Sequence, residues 1–170
     1  MSKAFTRESD DGPDFPIHSR PVSALPPGAK NYLTPGGAAR LREELERLLE
    51  VERPRLSART QESDTKAQLQ ALDQRVRQLQ LSLHSAVVVA PPVEQTDQVR
   101  FGATVAVRNR HGEVSRYRIV GIDEIDLDRN WVSWLSPIAK ALLNARIGQR
   151  VRFRFPSGEE ELEIREITYE

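Results

Sequence analysis

Apolar residues fall in two rhythms along this chain, and the change between them divides it. Leu41, Leu45 and Leu48 recur at four and three residues, with Arg42, Glu43, Glu46 and Arg47 on the other faces, so the spacing predicts an amphipathic helix. Thr34 followed by Pro35 supplies its start, an N-cap hydroxyl and a proline where no amide partner is needed. Pro54 lies inside the pattern and is expected to kink the helix rather than end it. The period breaks over Gln61 to Thr65, where Ser63 or Asp64 can cap a second helix. Beyond the break Leu69, Leu72, Val76, Leu79 and Leu83 keep a 3,4,3,4 spacing, the seam of a coiled coil. A short connection makes the two helices antiparallel neighbours.

From Val99 the rhythm becomes that of strands. Val105 and Val107, then Tyr117 and Ile119, alternate on either side of a turn at Asn109, Arg110, His111 and Gly112. A third short strand is predicted over Trp131 to Leu135. Ser136 and Pro137 then open a short helix through Leu142 and Leu143. Val151, Phe153 and Phe155 alternate with arginines, and Pro156, Ser157 and Gly158 turn the chain into Leu162, Ile164 and Ile167, a closing hairpin.

These rhythms predict an α+β chain with four segments. Residues 1–33, rich in proline and poor in large apolar side chains, read as a flexible leader docked by Tyr32 and Leu33. Residues 34–90 form an antiparallel coiled-coil hairpin with its turn near 61–65. Residues 91–98, beginning Pro91-Pro92, are a linker, and 99–170 form a β-rich domain with one short helix.

Composition narrows the chemistry. Lysine plus arginine balances aspartate plus glutamate at 25 each, so no overall positive field draws nucleic acid. There is no cysteine, which removes disulfides, thiolate metal sites and cysteine nucleophiles and suits a reducing compartment. No apolar leader segment or membrane-length run is present, so the reading is cytoplasmic, with no membrane partner. His18, His84 and His111 are scattered, and no phosphate-cradling glycine loop or nucleophile elbow occurs, which argues against an enzyme.

Three charged groupings remain. Asp123, Glu124, Asp126 and Asp128 lack the glycine and terminal glutamate of a calcium loop and read as a solvated connection. Arg146, Arg150, Arg152 and Arg154 could offer a basic stripe, but Glu159, Glu160, Glu161 and Glu163 follow across the predicted hairpin, and cross-strand pairing is the simpler reading. Glu62 and Asp64 sit at the turn between the helices, where capping accounts for them. Two carboxylates on a projecting tip can also reach a metal in a partner's cleft.

Several stretches resemble the GreA/GreB family of bacterial transcription elongation factors, GreB more than GreA. They are PPGAKNYLTP (26–35), LREELERLLEVERP (41–54), LDQRVRQL (72–79), FGATVAV (101–107), RYRIVGIDEID (116–126) and SPIAKALLNARIGQRV (136–151). The resemblance implies a coiled-coil hairpin joined to an FKBP-like domain that docks on the rim of the RNA polymerase secondary channel. It implies a monomer that meets nucleic acid only indirectly, through the polymerase. In the family, acidic residues at the hairpin tip help the polymerase's own active site cleave backtracked RNA. The chain itself is then no enzyme and has no cofactor, any magnesium belonging to the polymerase. Ser136 and Pro137 match the segment that engages the polymerase, and Leu135 stands where the family usually carries Asp or Asn.

A second departure is in length. Seventeen residues, 55–71, separate Pro54 from Leu72. That is roughly thirteen fewer than GreB-like sequences carry, and at 1.5 Å per residue over two arms it shortens the hairpin by about 10 Å. Glu62 and Asp64 do not align with the family's acidic pair, so stimulation of cleavage is expected to be lost. Alternatives are cleavage retained through Glu62 and Asp64, prolyl isomerisation by the β-rich domain, and a helical adaptor for another protein.

Overall fold

The computed structural model describes residues 25–59, 63–94 and 96–170, with the side chains of Ser63 and Asp64 left aside. Glu62, and residues 1–24 of the expected leader with His18, therefore lie outside the described residues, as does the side chain of Asp64.

The helical part begins before the expected boundary at residue 34. Pro26 to Ala29 make a turn closed by the Ala29 amide on the Pro26 carbonyl, with Gly28 at φ 81°. Strand β1 follows, Asn31–Leu33, with Asn31 and Leu33 buried. It pairs in parallel with β2, Ala86–Val88. Residues 25–33 are thus not a free leader. Leu33 completes the arm's apolar core, and the ladder satisfies main-chain groups that the pattern of prolines had seemed to leave open.

Helix α1, Pro35–Arg47, opens as predicted: the Thr34 hydroxyl accepts the Gly37 amide at 2.9 Å and Pro35 takes the first position. Leu48–Glu52 form a π turn in which the Arg53 amide reaches back to the Leu48 carbonyl, and α2 covers Arg53–Ser57. Pro54 has no amide to give, and in a regular helix its ring would crowd the carbonyl four residues back. The wider turn absorbs the proline and also inserts one residue into the apolar period. Seven residues beyond Leu48 stands Arg55; eight beyond stands Leu56, which packs on the arm's core.

Helix α3, Ser63–Ser85, runs back antiparallel, since Arg53 meets Asp73, Glu44 meets Arg75 and Asn31 meets Ser82. Ala58 and Arg59 turn at the end of α2 and α3 begins at Ser63, while residues 60–62 of the expected turn lie outside the described residues. Leu41, Leu48, Leu72, Val76 and Leu79 bury between the helices.

The second part is a five-stranded sheet in the order β5-β4-β3-β7-β6. Its strands are β3 Thr104–Asn109, β4 Val114–Val120, β5 Trp131–Ser133, β6 Arg150–Phe155 and β7 Gly158–Thr168. All neighbours are antiparallel except β4 and β5. Ala106 faces Glu166 while Val107 faces Ile164, so Arg165 is an extra residue, and such a bulge bends the strand and curls the sheet. The sheet curls over α4, Pro137–Leu142, around a core of Val99, Val105, Val107, Ile119, Leu142 and Ile164. The third strand is shorter than expected. It stops at Ser133, whose hydroxyl and carbonyl accept the amides of Leu135 and Ser136 and close a turn.

Candidate functional site

Two surfaces and the joint between them follow from this architecture. The first surface is the turn Ser133–Ser136 at the start of α4. Ser136 caps α4 by accepting the Ala139 amide at 3.2 Å, Pro137 is exposed, and Leu135 is half-buried. The Trp134 amide donates to the Val120 carbonyl at 2.9 Å, which ties the turn to the end of β4.

The second surface is the distal end of the arm. Val51 and Leu49 are partly exposed there, and Arg47, Arg55 and Arg59 stand around Leu48, Val51 and Leu56. Of the tip candidates, Glu62 and the side chain of Asp64 lie outside the described residues.

The joint departs from what the sequence predicts. The acidic segment after β4 is not a solvated connection. Glu124 has a side chain only 1% exposed. Its carboxylate accepts the Thr34 amide at 2.8 Å, the Thr34 hydroxyl at 2.5 Å and the Gly121 amide at 3.1 Å, with Arg40 at 3.5 Å. Asp123 accepts the Ser82 hydroxyl and, at 3.4 Å, the Asn31 side-chain amide. Asp126 turns back on Arg129, and exposed Asp128 alone of the four fits the solvated description among the described residues. A carboxylate buried this deeply is tolerable only when hydrogen-bonded on several sides. It also lies at the N-terminal end of α1, where unpaired amides carry positive partial charge.

Two glycines make the approach possible. A Cβ built on Gly37 would overlap the Glu124 carboxylate, and one on Gly121 would overlap the Tyr32 carbonyl. Gly36-Gly37 in the first turn of a helix is a poor choice for helix stability and was the one sequence signal of a close approach. Nothing in the sequence pointed to Glu124 as its partner.

The basic stripe resolves into pairs. Arg152 meets Glu161 at 2.9 Å, Arg154 meets Glu159 at 3.1 Å and Arg150 approaches Glu161 at 3.9 Å, while Arg146 pairs with Asp97. Arg152 and the other arginines around it hold the Glu161 carboxyl below its ordinary range. Arg108 and Arg165 do the same for Glu163. His84 and His111 are exposed and stand apart, and among the described residues no group of three or more metal-ligating side chains converges. No described helix is long and apolar enough to cross a membrane.

A helical arm is fixed by buried polar contacts to a curled sheet that carries a half-buried, capped turn, which makes this a two-part helix-and-sheet protein. The family model described as "Transcription elongation factor, GreA/GreB, C-term" matches residues 94–169. The transcription elongation factor GreB of Neisseria meningitidis is 41% identical over 154 residues, covering 82% of this chain and 94% of that protein. The GreB of Pseudomonas aeruginosa is 38% identical over 150 residues, covering 81% and 89%. A solved GreA/GreB factor from Nitrosomonas europaea aligns at 25% identity with a TM-score of 0.41, covering 82% of this chain and all of that one. The chain belongs to the GreA/GreB family of transcription elongation factors.

Proposed function

We propose that this chain is a regulator of transcription elongation that docks on RNA polymerase at the secondary channel without donating the carboxylates that stimulate transcript cleavage. Membership in the family supports the polymerase as partner. The two parts then serve as a coiled-coil hairpin and an FKBP-like docking domain. Half-buried Ser136 and exposed Pro137, at the start of α4, make the rim contact, with Leu135 replacing a polar residue. The factor works as a cytoplasmic monomer, catalyses nothing itself and holds no cofactor. Any magnesium in the reaction stays with the polymerase.

The observation that carries this reading is the length of the arm. An alignment of 154 residues that uses 82% of a 170-residue chain, about 139 residues, leaves roughly 15 positions present in the Neisseria protein and absent here. That count is close to the roughly thirteen residues expected to be missing between Pro54 and Leu72. Metal-assisted cleavage needs its groups placed to within about 1 Å, and a shortfall of about 10 Å leaves a tip carboxylate out of reach.

A purified backtracked elongation complex tests the reading. The chain is expected to leave the cleavage rate at the polymerase's intrinsic level and to reduce the stimulation given by a full-length GreB as its own concentration rises. Cleavage accelerated as a full-length factor accelerates it overturns the truncation argument.

A further inference from the structure

We infer that Glu124 is a positioning residue: it fixes the angle at which the arm leaves the docking domain, so the arm's placement in its partner is set at the base. The inference rests on the polymerase-docking reading for its consequence but not for its geometry.

The geometry begins at one strand end. Val120 pairs with Ser133 across β4 and β5, and the Trp134 amide binds the Val120 carbonyl. The docking turn leaves β5 at that point, and Gly121 to Glu124 leave β4 at the same point. This four-residue segment then grips both helices. Glu124 holds the start of α1 through Thr34 and Arg40, and Asp123 holds the end of α3 through Ser82. Gly37 and Gly121 leave out the Cβ atoms that would force the two parts away from each other.

Leverage makes the angle matter. From Thr34 to Leu56 the arm rises about 33 Å at 1.5 Å per residue, so a rotation of about 10° at its base moves the distal end by about 6 Å. A buried carboxylate with four directional partners resists such a rotation, because any tilt strips hydrogen bonds from a charge that water cannot reach.

The chain has no cysteine, so two introduced ones can be labelled uniquely. Nitroxides placed through Glu46→Cys on the arm and Arg165→Cys on the sheet report the angle as a distance distribution by double electron–electron resonance. A single narrow distribution is expected for the parent chain and for Thr34→Ser, which keeps the hydroxyl. Glu124→Ala and Gly37→Ala, the second of which removes no charge, are expected to broaden or shift it. Far-ultraviolet circular dichroism and a cooperative melt should show both variants still folded. Displacement of full-length GreB from polymerase should weaken by about tenfold in both variants, about 1.4 kcal/mol of binding.

Distances unchanged in both folded variants overturn the inference. Broadened distances with undiminished competition overturn its consequence, since the angle would then be free without cost to docking. If the parent chain itself fails to bind polymerase, the docking reading fails while the distance measurement still decides the role of Glu124.

Discussion

The ring of Tyr32 meets the indole of Trp134 edge-on, centroids 5.2 Å apart and planes at 70°, and leans on Phe101 at 5.7 Å. A residue of the strand that leads into the arm therefore touches a residue inside the turn Ser133–Ser136. Tyr32→Ala should cost about 2–3 kcal/mol, the low end for losing a large aromatic because Tyr32 is half-buried. Tyr32→Phe keeps the ring and should stay within about 0.5 kcal/mol. Urea unfolding of the two variants checks the pair.

Gly121 and Gly112 should respond to alanine for different reasons. At Gly121 the added carbon overlaps the Tyr32 carbonyl, a backbone atom that no side-chain rotation can move aside. Overpacking of this kind should cost about 2–3 kcal/mol. At Gly112 there is open space but φ is 85°, so only left-handed strain of about 1 kcal/mol is expected. Melting curves that rank the two the other way contradict the close approach at the joint.

At the start of α4, Ser136→Ala removes the cap on the Ala139 amide and should lower stability by about 1 kcal/mol. Binding to core polymerase should weaken with it. Leu135→Asp is expected to leave the melt nearly unchanged, because Leu135 is only half-buried, and to tighten polymerase binding several-fold. Fluorescence anisotropy of labelled protein against core polymerase measures both; looser binding by Leu135→Asp would mean the contact at this position is apolar.

Across the arm, Arg75 forks onto Glu44 at 2.8 and 2.9 Å. That hydrogen bonding holds the Glu44 carboxyl below its ordinary range, against the opposing effect of partial burial, and the charges of Arg75 and Arg47 help. A carboxyl lowered in the folded state stabilises fully above its unfolded pKa of about 4.3, and that stabilisation disappears as pH falls through the lower folded value. The parent chain should exceed Glu44→Gln by about 0.5–1 kcal/mol at pH 7, a pair this exposed being well screened. The gap should close under acid. A gap that stays constant from pH 7 to pH 3 would assign it to packing instead.

Most of the fold was legible because its elements are signalled locally. Thr34-Pro35 and Ser136-Pro137 each announce a helix start, and the alternation of Val105 and Val107 announces a buried strand. The cross-strand pairing of Arg152 with Glu161 followed from the same alternation. What escaped was set by contacts distant in sequence. Asn31–Leu33 is too short and too close to prolines to read as a strand until Ala86–Val88 lies beside it. Glu124 sits in an acidic run, where a carboxylate is ordinarily solvated, and only Thr34, ninety residues away, changes its meaning. Of the candidate site, the cap at the start of α4 could be read from Ser136 and Pro137, whereas the buried contacts of Glu124 at the joint could not.

The π turn at Leu48–Glu52 also bears on how the arm can change length over evolution. Below it, Leu41 and Leu48 are phased from the cap at Thr34; above it, the seam restarts at Leu56. A deletion or insertion above the turn need not rephase the residues beneath it. The outer arm can be trimmed or extended while the base stays seated on the sheet, so this end of the molecule is free to vary in length independently of the joint.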